Sequence, residues 1–89
     1  MMVTVYGKAD CPQCAATRRT LEIKDVPYEY VDVDLDPAAA DVLRSRGFHQ
    51  MPVVVAGTTV WSGFRPDLIV GESRRREADN VSKDGVNSV

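Results

Sequence analysis

Hydrophobic and polar positions divide the chain into short stretches with strand patterns and longer stretches with helical spacing. Residues 3–6 and 28–33 are rich in β-branched and aromatic side chains, which is typical of strands. Residues 53–55 are all valine, as expected of a strand that is buried on both faces. A turn at residues 56–58 then leads into a returning strand at residues 59–61, which predicts a β-hairpin.

Proline and capping residues mark where the helices begin. Pro12 suits a first helical position, where its missing N–H costs nothing, and a helix is predicted from it to about residue 24. Asp36 and Pro37 predict the start of a second helix, which Gly47 closes in the left-handed conformation. Pro66 opens a third helix.

The apolar residues of the first two helices predict which sides face the core. The predicted inner side of the first helix consists of Ala16, Thr20, Leu21 and Ile23. The predicted apolar face of the second helix consists of Ala39, Val42 and Leu43, with Phe48 folding back against it.

The predicted order β-α-β-α-β-β-α is the minimal thioredoxin arrangement. It is an α/β fold with a four-stranded mixed sheet and three helices, in which the first helix links two strands by a right-handed crossover. A chain of 89 residues forms one small domain, which we assign to residues 1–76. Residues 77–89 are polar with only isolated valines, and we predict a disordered tail there.

Composition narrows the possible functions. The formal net charge is −2, so a general nucleic-acid-binding role, which needs a basic face, is not expected. No stretch approaches the roughly 20 apolar residues that cross a bilayer, and no apolar signal segment opens the chain. We therefore expect a soluble, cytoplasmic protein that has no membrane partner and acts as a monomer.

The chain has two cysteines, Cys11 and Cys14. A disulfide that closes so short a loop removes little entropy from the unfolded chain and is a poor structural staple, so redox chemistry explains the pair better. At a helix N-terminus, unsatisfied N–H groups and the helix dipole stabilise a thiolate. With Cys11 at the N-cap and Lys8 nearby, we predict that Cys11 attacks a disulfide and that the more buried Cys14 resolves the intermediate.

A zinc site is the competing explanation for the cysteine pair. Zinc usually takes four ligands, whereas the chain offers one C-x-x-C pair and His49, so a carboxylate would have to complete the set. A metal- or redox-sensing binding module is thus an alternative hypothesis. The expectation from the ligand count is that the chain binds no metal.

Met51 and Pro52 stand immediately before the buried valine strand. Proline is tolerated at a strand's first residue, where no donor is required. In a thioredoxin fold this proline is expected to be cis and to lie beside the cysteines, where the Met51 backbone pairs with an incoming peptide. His49 and Gln50 are predicted to flank this groove, although a surface-loop position explains His49 equally well.

Two large aromatic residues flank a short turn between the last strand and the last helix. The segment consists of Trp61, Ser62, Gly63, Phe64, Arg65 and Pro66. Gly63 allows a partner's backbone to approach closely, and the topology brings the segment near the cysteines. For Trp61 alone, a core position is as good an explanation as a functional one.

Over roughly residues 2–70, the sequence resembles the NrdH-redoxins. The matching positions are Cys11, Gln13, Cys14, Ala16, Thr17, Gly47, Phe48, Gln50, Met51, Pro52, Val53, Val54, Ala56, Gly57 and the whole of Trp61 to Pro66. These glutaredoxin-like proteins behave like thioredoxins and reduce class Ib ribonucleotide reductase. The resemblance implies electrons arriving from NADPH through thioredoxin reductase, the reductase large subunit as acceptor, and no cofactor on the chain itself.

The resemblance also implies a glutaredoxin-like version of the fold and a partner groove beside the cysteines. We assign to this groove Lys8, Pro12, Gln13, His49, Gln50, Met51, Pro52, Trp61, Ser62, Gly63, Phe64 and Arg65.

Pro12 departs from the resemblance, because the family more often has an aliphatic residue there and Cys-Pro is typical of glutaredoxins. A glutathione-dependent glutaredoxin is therefore the alternative. A glutathione site generally has an aromatic residue where Gln13 stands, and Gly-Gly followed by a small or acidic residue where residues 62–64 stand. Both features are missing, and Phe64 occupies the region that would hold glutathione's carboxylate, so we expect weak use of glutathione.

Overall fold

Three helices and a four-stranded sheet form the fold, which confirms the predicted element order. The computed structural model describes residues 2–76, so the tail predicted at residues 77–89 lies outside the described residues. The elements are β1 (Val3–Gly7), α1 (Pro12–Ile23), β2 (Tyr28–Asp32), α2 (Pro37–Ser45), β3 (Val53–Ala56) and β4 (Thr59–Ser62). A further helix, α3, covers residues 66–76.

The sheet is mixed and has the strand order β2-β1-β3-β4. Strands β1 and β2 run parallel, with Gly7 opposite Asp32 at their ends. Strand β3 is antiparallel to β1, and β4 returns beside β3 with Ala56 opposite Thr59. The two-residue hairpin loop places Gly57 at φ +64°, a conformation that glycine adopts without steric cost.

Three chain segments meet at one end of this sheet. Strand β1 ends there and leads into the loop before α1. Because β3 is antiparallel to β1, it begins at the same end, with Val53 opposite Tyr6. Strand β4 then ends there, with Ser62 opposite Val53. The topology therefore brings together the cysteine loop, the Met51-Pro52 pair and the segment that follows β4.

The core cluster draws on β1, β3, β4, α1 and α3. Its buried members are Val3, Val5, Leu21, Val26, Val54, Ala56, Trp61 and Ile69. Leu43 of α2 is buried outside this cluster. Helices α1 and α3 thus pack with the sheet in the main core, whereas the buried Leu43 of α2 is not part of that cluster.

The inner side of α1 differs from the prediction. Its buried residues are Cys14, Thr17 and Leu21, which are spaced by three and four positions, whereas Ile23 is 68% exposed. Successive helical residues are about 100° apart, so Ile23 lies about 200° from Leu21 and faces the opposite side. The prediction that Ile23 faces the core is wrong, and the polar residue Thr17 takes the buried position.

Helix α2 corrects a second prediction and confirms two others. Leu43 is buried, but Val42 is 52% exposed, so the prediction of Val42 as part of the apolar face is wrong. Leu43, the next residue, faces inward, and adjacent residues on a helix point in directions about 100° apart, so Val42 faces away from the core. Gly47 closes the helix at φ +91°, as predicted, and the N–H of Phe48 donates to the Leu43 carbonyl at 2.9 Å.

Candidate active site

Cys11 is the N-cap of α1, which confirms the predicted position of the cysteine pair. Its backbone is extended, and its Sγ accepts a hydrogen bond from the N–H of Cys14 at 3.2 Å. Pro12 follows as the first residue of the helix. Because the sulfur lies where the helix directs an unpaired N–H and the positive end of its dipole, negative charge on this sulfur is stabilised.

The two sulfurs differ in their access to solvent. A disulfide joins Cys11 and Cys14, whose Cα atoms are 5.2 Å apart. Cys11 is partly exposed, whereas Cys14 is 2% exposed. A disulfide from another protein can therefore reach Cys11 and not Cys14, which is the asymmetry needed for one attacking and one resolving sulfur.

The Met51-Pro52 peptide bond is cis, as predicted, and lies beside Cys11. Cys11 Sγ is 3.8 Å from the carbonyl oxygen of Met51. Pro52 is buried and Met51 is half-buried. A peptide that paired with the Met51 backbone as an added strand would therefore bring its own sulfur close to Cys11.

The segment after β4 is hydrogen-bonded both to Pro52 and to the start of α1. The N–H of Gly63 donates to the carbonyl of Pro52 at 2.8 Å, and the N–H of Phe64 donates to Oε1 of Gln13 at 3.2 Å. Gly63 has φ +84°, in the left-handed region that favours glycine. Gln13 thus connects the start of α1 with the start of the segment leading to α3.

The remaining residues of this segment have different surroundings. Trp61 is 6% exposed and its ring belongs to the core cluster, whereas Ser62 is exposed at the end of β4. Phe64 is half-buried against the same core. The exposed Arg65 pairs with Asp67 at 3.0 Å, and these hydrogen bonds hold the pKa of the Asp67 carboxyl below its ordinary value.

Two open grooves flank the cysteine loop, and Lys8 lines both of them. The first has a volume of about 610 Å³ and is lined by Lys8, Ala9, Asp10, Cys11, Pro12, Cys14, Ala15, Arg18, Tyr30 and Asp32. The second, of about 410 Å³, lies toward α2, and its lining includes Lys8, Phe48, His49 and Met51. Gln50 is exposed in the same loop as His49.

Arg18 and Tyr30 also line the first groove, although the sequence did not indicate them as site residues. The Arg18 guanidinium lies 4.2 Å from the centroid of the Tyr30 ring, and its Nε donates to the Tyr28 hydroxyl at 3.4 Å. Burial, followed by the hydrogen bond to Glu22, raises the pKa of Tyr28. The alternation in β2 was the available signal, since it places both tyrosines on one face of the sheet.

Within residues 2–76, no three His, Cys, Asp or Glu side chains are grouped so that they could hold a metal ion. The helices within that range include none with the length and apolar character required to cross a membrane.

Comparisons with known proteins agree with this geometry. Residues 3–61 match the family model for glutaredoxin. The chain is 54% identical over 69 residues to the glutaredoxin-like protein NrdH of Salmonella typhimurium, covering 78% of this chain and 85% of that protein. It is 32% identical over 65 residues to the NrdH protein of Lactococcus lactis, covering 73% and 90%.

A solved structure extends the comparison to the fold. The NrdH-redoxin of Escherichia coli, a glutaredoxin-like protein described as having a thioredoxin-like activity profile, superposes with a TM-score of 0.76. The two chains are 51% identical, and the match covers 78% of this chain and 91% of the other. With a cysteine pair placed for disulfide exchange at the start of α1, the chain belongs to the glutaredoxin family and, within it, to the glutaredoxin-like NrdH proteins, which are thiol–disulfide oxidoreductases.

Proposed function

We propose that this protein takes electrons from NADPH through thioredoxin reductase and delivers them to the large subunit of class Ib ribonucleotide reductase. The observation that carries the proposal is the 3.2 Å hydrogen bond from the N–H of Phe64 to Gln13. Unpaired N–H groups at the start of a helix bind anions such as a carboxylate. Because Gln13 takes the Phe64 N–H just before α3, this donor is not available to the carboxylate of glutathione.

Two further features support a protein donor over glutathione. Phe64 packs against the core cluster and its backbone is held to Gln13, so a bulky residue is fixed in the segment that a glutathione site would use. The hydrogen bond from Gly63 to Pro52 keeps the same segment close to the site. The thioredoxin-like activity profile of the similar Escherichia coli protein is in line with this arrangement.

The proposed cycle exchanges two electrons and two protons. The Cys11 thiolate attacks the acceptor's disulfide, forms a mixed disulfide and releases one acceptor sulfur as a thiolate, which takes up a proton. The Cys14 thiolate then attacks Cys11 Sγ, releases the second acceptor sulfur and forms the Cys11–Cys14 disulfide. Thioredoxin reductase restores the dithiol with two electrons from NADPH. We place this cycle in the cytoplasm, where thiols are kept reduced.

The proposal is tested by following NADPH oxidation with two alternative electron donors. One assay contains thioredoxin reductase with the class Ib reductase as acceptor, and the other contains glutathione and glutathione reductase with hydroxyethyl disulfide. We expect turnover in the first assay and little in the second, with Cys11→Ser inactive in both. Turnover with glutathione alone would overturn the proposal and assign the protein to the glutathione-dependent glutaredoxins.

A substitution at Gln13 tests directly whether its hydrogen bond with Phe64 disfavours glutathione. Gln13→Leu keeps a side chain of similar length and removes the oxygen that accepts from Phe64. If that hydrogen bond is what disfavours glutathione, turnover with glutathione should rise severalfold in the variant. An unchanged rate with glutathione would show that some other feature of the groove excludes it.

A further inference from the structure

Gly7, at the end of β1, has no side chain, and Tyr30 and Cys14 lie close to the place that one would fill. A Cβ built on Gly7 would lie 2.6 Å from the Tyr30 hydroxyl oxygen, 2.9 Å from Tyr30 Cε1 and 3.1 Å from Cys14 Sγ. The φ of Gly7 is not in the left-handed region, so space and not backbone conformation accounts for glycine here. The phenol and the buried sulfur therefore both border the place that a side chain of residue 7 would fill.

Two elements hold the Tyr30 ring in this position. In the parallel pairing of β1 with β2, Tyr30 lies opposite Val5, which belongs to the same core cluster as Leu21 of α1. From α1, the Arg18 guanidinium lies 4.2 Å from the ring centroid, which is the distance of a cation–π contact. The ring position is thus set by its place in β2, by the contact with Arg18 and by the space that Gly7 leaves for it.

The hydrogen bond at the start of α1 serves Cys11 and not Cys14. Cys14 must become a thiolate to resolve the mixed disulfide, and burial disfavours the charged form of a thiol. The N–H group of Cys14 points to Cys11 Sγ, so the helix N-terminus stabilises charge on the first sulfur. The ionisable groups lining the groove beside both sulfurs are Lys8 and Asp10 from the loop, Arg18 from α1, and Tyr30 and Asp32 from β2.

We propose that Tyr30 is a positioning residue for the resolving sulfur, with its hydroxyl donating a hydrogen bond to the Cys14 thiolate in the reduced protein. In the resolving step this thiolate attacks Cys11 Sγ, and the bond between Cys11 and the acceptor's sulfur breaks. The acceptor's sulfur leaves with the electron pair and takes a proton from water, while the proton of Cys14 has already passed to water in the groove. The inference rests on disulfide exchange by the cysteine pair and not on which proteins supply or receive the electrons.

The first test removes only the hydroxyl, by Tyr30→Phe. In the reduced protein with ¹³Cβ-labelled cysteine, the Cβ chemical shift of Cys14 followed against pH gives its titration midpoint. We expect this midpoint to rise by about one pH unit, since a hydrogen bond to a charged group is worth roughly a factor of ten. The midpoint of Cys11 should move much less. Tyr6→Phe, a matched change on the opposite face of the sheet, should leave both midpoints unchanged.

A kinetic measurement separates the two sulfurs in a second way. Reduced protein mixed with 5,5′-dithiobis(2-nitrobenzoate) releases one thionitrobenzoate when Cys11 attacks and a second when Cys14 resolves the mixed disulfide. Tyr30→Phe should slow the second release about threefold and leave the first unchanged, because a one-unit rise in pKa lowers the thiolate fraction about tenfold and raises the nucleophilicity of the thiolate about threefold. An unchanged Cys14 midpoint and second release would overturn the proposal. Equal effects on both cysteines would also overturn it, because they would show a general disturbance of the site.

Gly7→Ala tests the same contact from the other side. The added methyl would lie 2.6 Å from the phenol oxygen, too close for the ring to keep its position. We expect the Cys14 midpoint to rise as in Tyr30→Phe, and the double variant to show less than the two single effects combined. Fully additive shifts would contradict a shared contact. Because neither reductase enters these measurements, the proposed electron partners and the role of Tyr30 can fail independently.

Discussion

Helices α1 and α2 begin in the same way but use different atoms to do so. Each starts with a capping residue followed by proline, Cys11-Pro12 in one helix and Asp36-Pro37 in the other. In each, a side-chain atom of the cap accepts a hydrogen bond at 3.2 Å from the backbone N–H three residues later. The acceptor is a sulfur in α1 and a carboxylate oxygen in α2.

The two helices also end in the same way. In each, the residue after the C-cap has a positive φ, and the next N–H donates to a carbonyl five residues earlier, which is the Schellman arrangement. These hydrogen bonds are both 2.9 Å long and run from Val26 to Leu21 and from Phe48 to Leu43. The left-handed residue is Asp25 in α1 and Gly47 in α2.

The difference shows how a structural position becomes a chemical one. The place where N–H groups and the helix dipole stabilise the Asp36 carboxylate also stabilises a thiolate. In α2 the cap contributes only stability, whereas in α1 the same geometry holds a sulfur beside an exposed groove. A helix start of the ordinary kind thus places the Cys11 sulfur in an open groove, near the Met51 carbonyl, where it can react with a disulfide.

Replacing the sulfur cap by an oxygen cap is expected to have the largest effect on activity. Cys11→Ser keeps an atom that accepts from the Cys14 N–H, so the helix start survives, but the nucleophile is lost. Reduction of insulin disulfides should fall to the uncatalysed rate, while the thermal midpoint measured under reducing conditions changes little. Cys14→Ser should instead accumulate a mixed disulfide through Cys11, visible by mass spectrometry. Trapping through Cys14 in the Cys11→Ser variant would reverse the assigned roles.

The matched leucines of the two closing turns should differ in their effect on stability. Leu21 is 0% exposed and belongs to the core cluster, whereas Leu43 is 5% exposed and lies outside it. Leu21→Ala should lower the free energy of unfolding by about 4 kcal/mol and Leu43→Ala by about 2 kcal/mol, because the larger cavity forms where the surroundings can relax less. Urea unfolding of both variants measures the difference. Equal losses would mean that the α2 side carries as much of the core as the α1 side.

The starts and ends of these helices could be predicted from the sequence because capping is local. Asp36 and Gly47 act on backbone groups within a few residues, so the residue type alone indicates the conformation. The inner faces were less predictable. Ile23 and Val42 are apolar residues in the last turns of short helices, where the chain can leave them exposed, and their hydrophobicity alone does not show the direction in which they point.

The parts of the site that depend on distant side chains could not be predicted in detail. The topology indicated that the segment after β4 lies near the cysteines, but not that Gln13 would bond to Phe64, 51 residues away. The position of the Tyr30 hydroxyl beside Gly7 depends on the register of β1 and β2 and on the orientation of the Tyr30 ring. Register is visible only in the folded sheet, so a pattern of alternating residues indicates the face and not the neighbour.

Removing the carboxylate cap tests what α2 gains from it. Asp36→Ala should lower the free energy of unfolding by about 1 kcal/mol, because the Ala39 N–H loses its side-chain acceptor. Asp34→Ala, a change of the same type at an exposed position two residues earlier, should have a much smaller effect. Urea unfolding at neutral pH compares the two variants. Equal effects would show that the loss reflects charge in this loop and not the cap.

The smallest expected effect concerns the left-handed residue that closes each helix. Asp25 has φ +55°, a region that costs a residue with a Cβ about 1 kcal/mol, and glycine recovers only part of this because its unfolded chain is more flexible. Asp25→Gly should therefore raise the free energy of unfolding by about 0.5 kcal/mol. Gly47→Ala should lower it for purely conformational reasons, since a Cβ there would have no neighbour within 4 Å. Thermal unfolding measures both changes, and a loss of stability in Asp25→Gly would show that the Asp25 side chain contributes more than its backbone conformation costs.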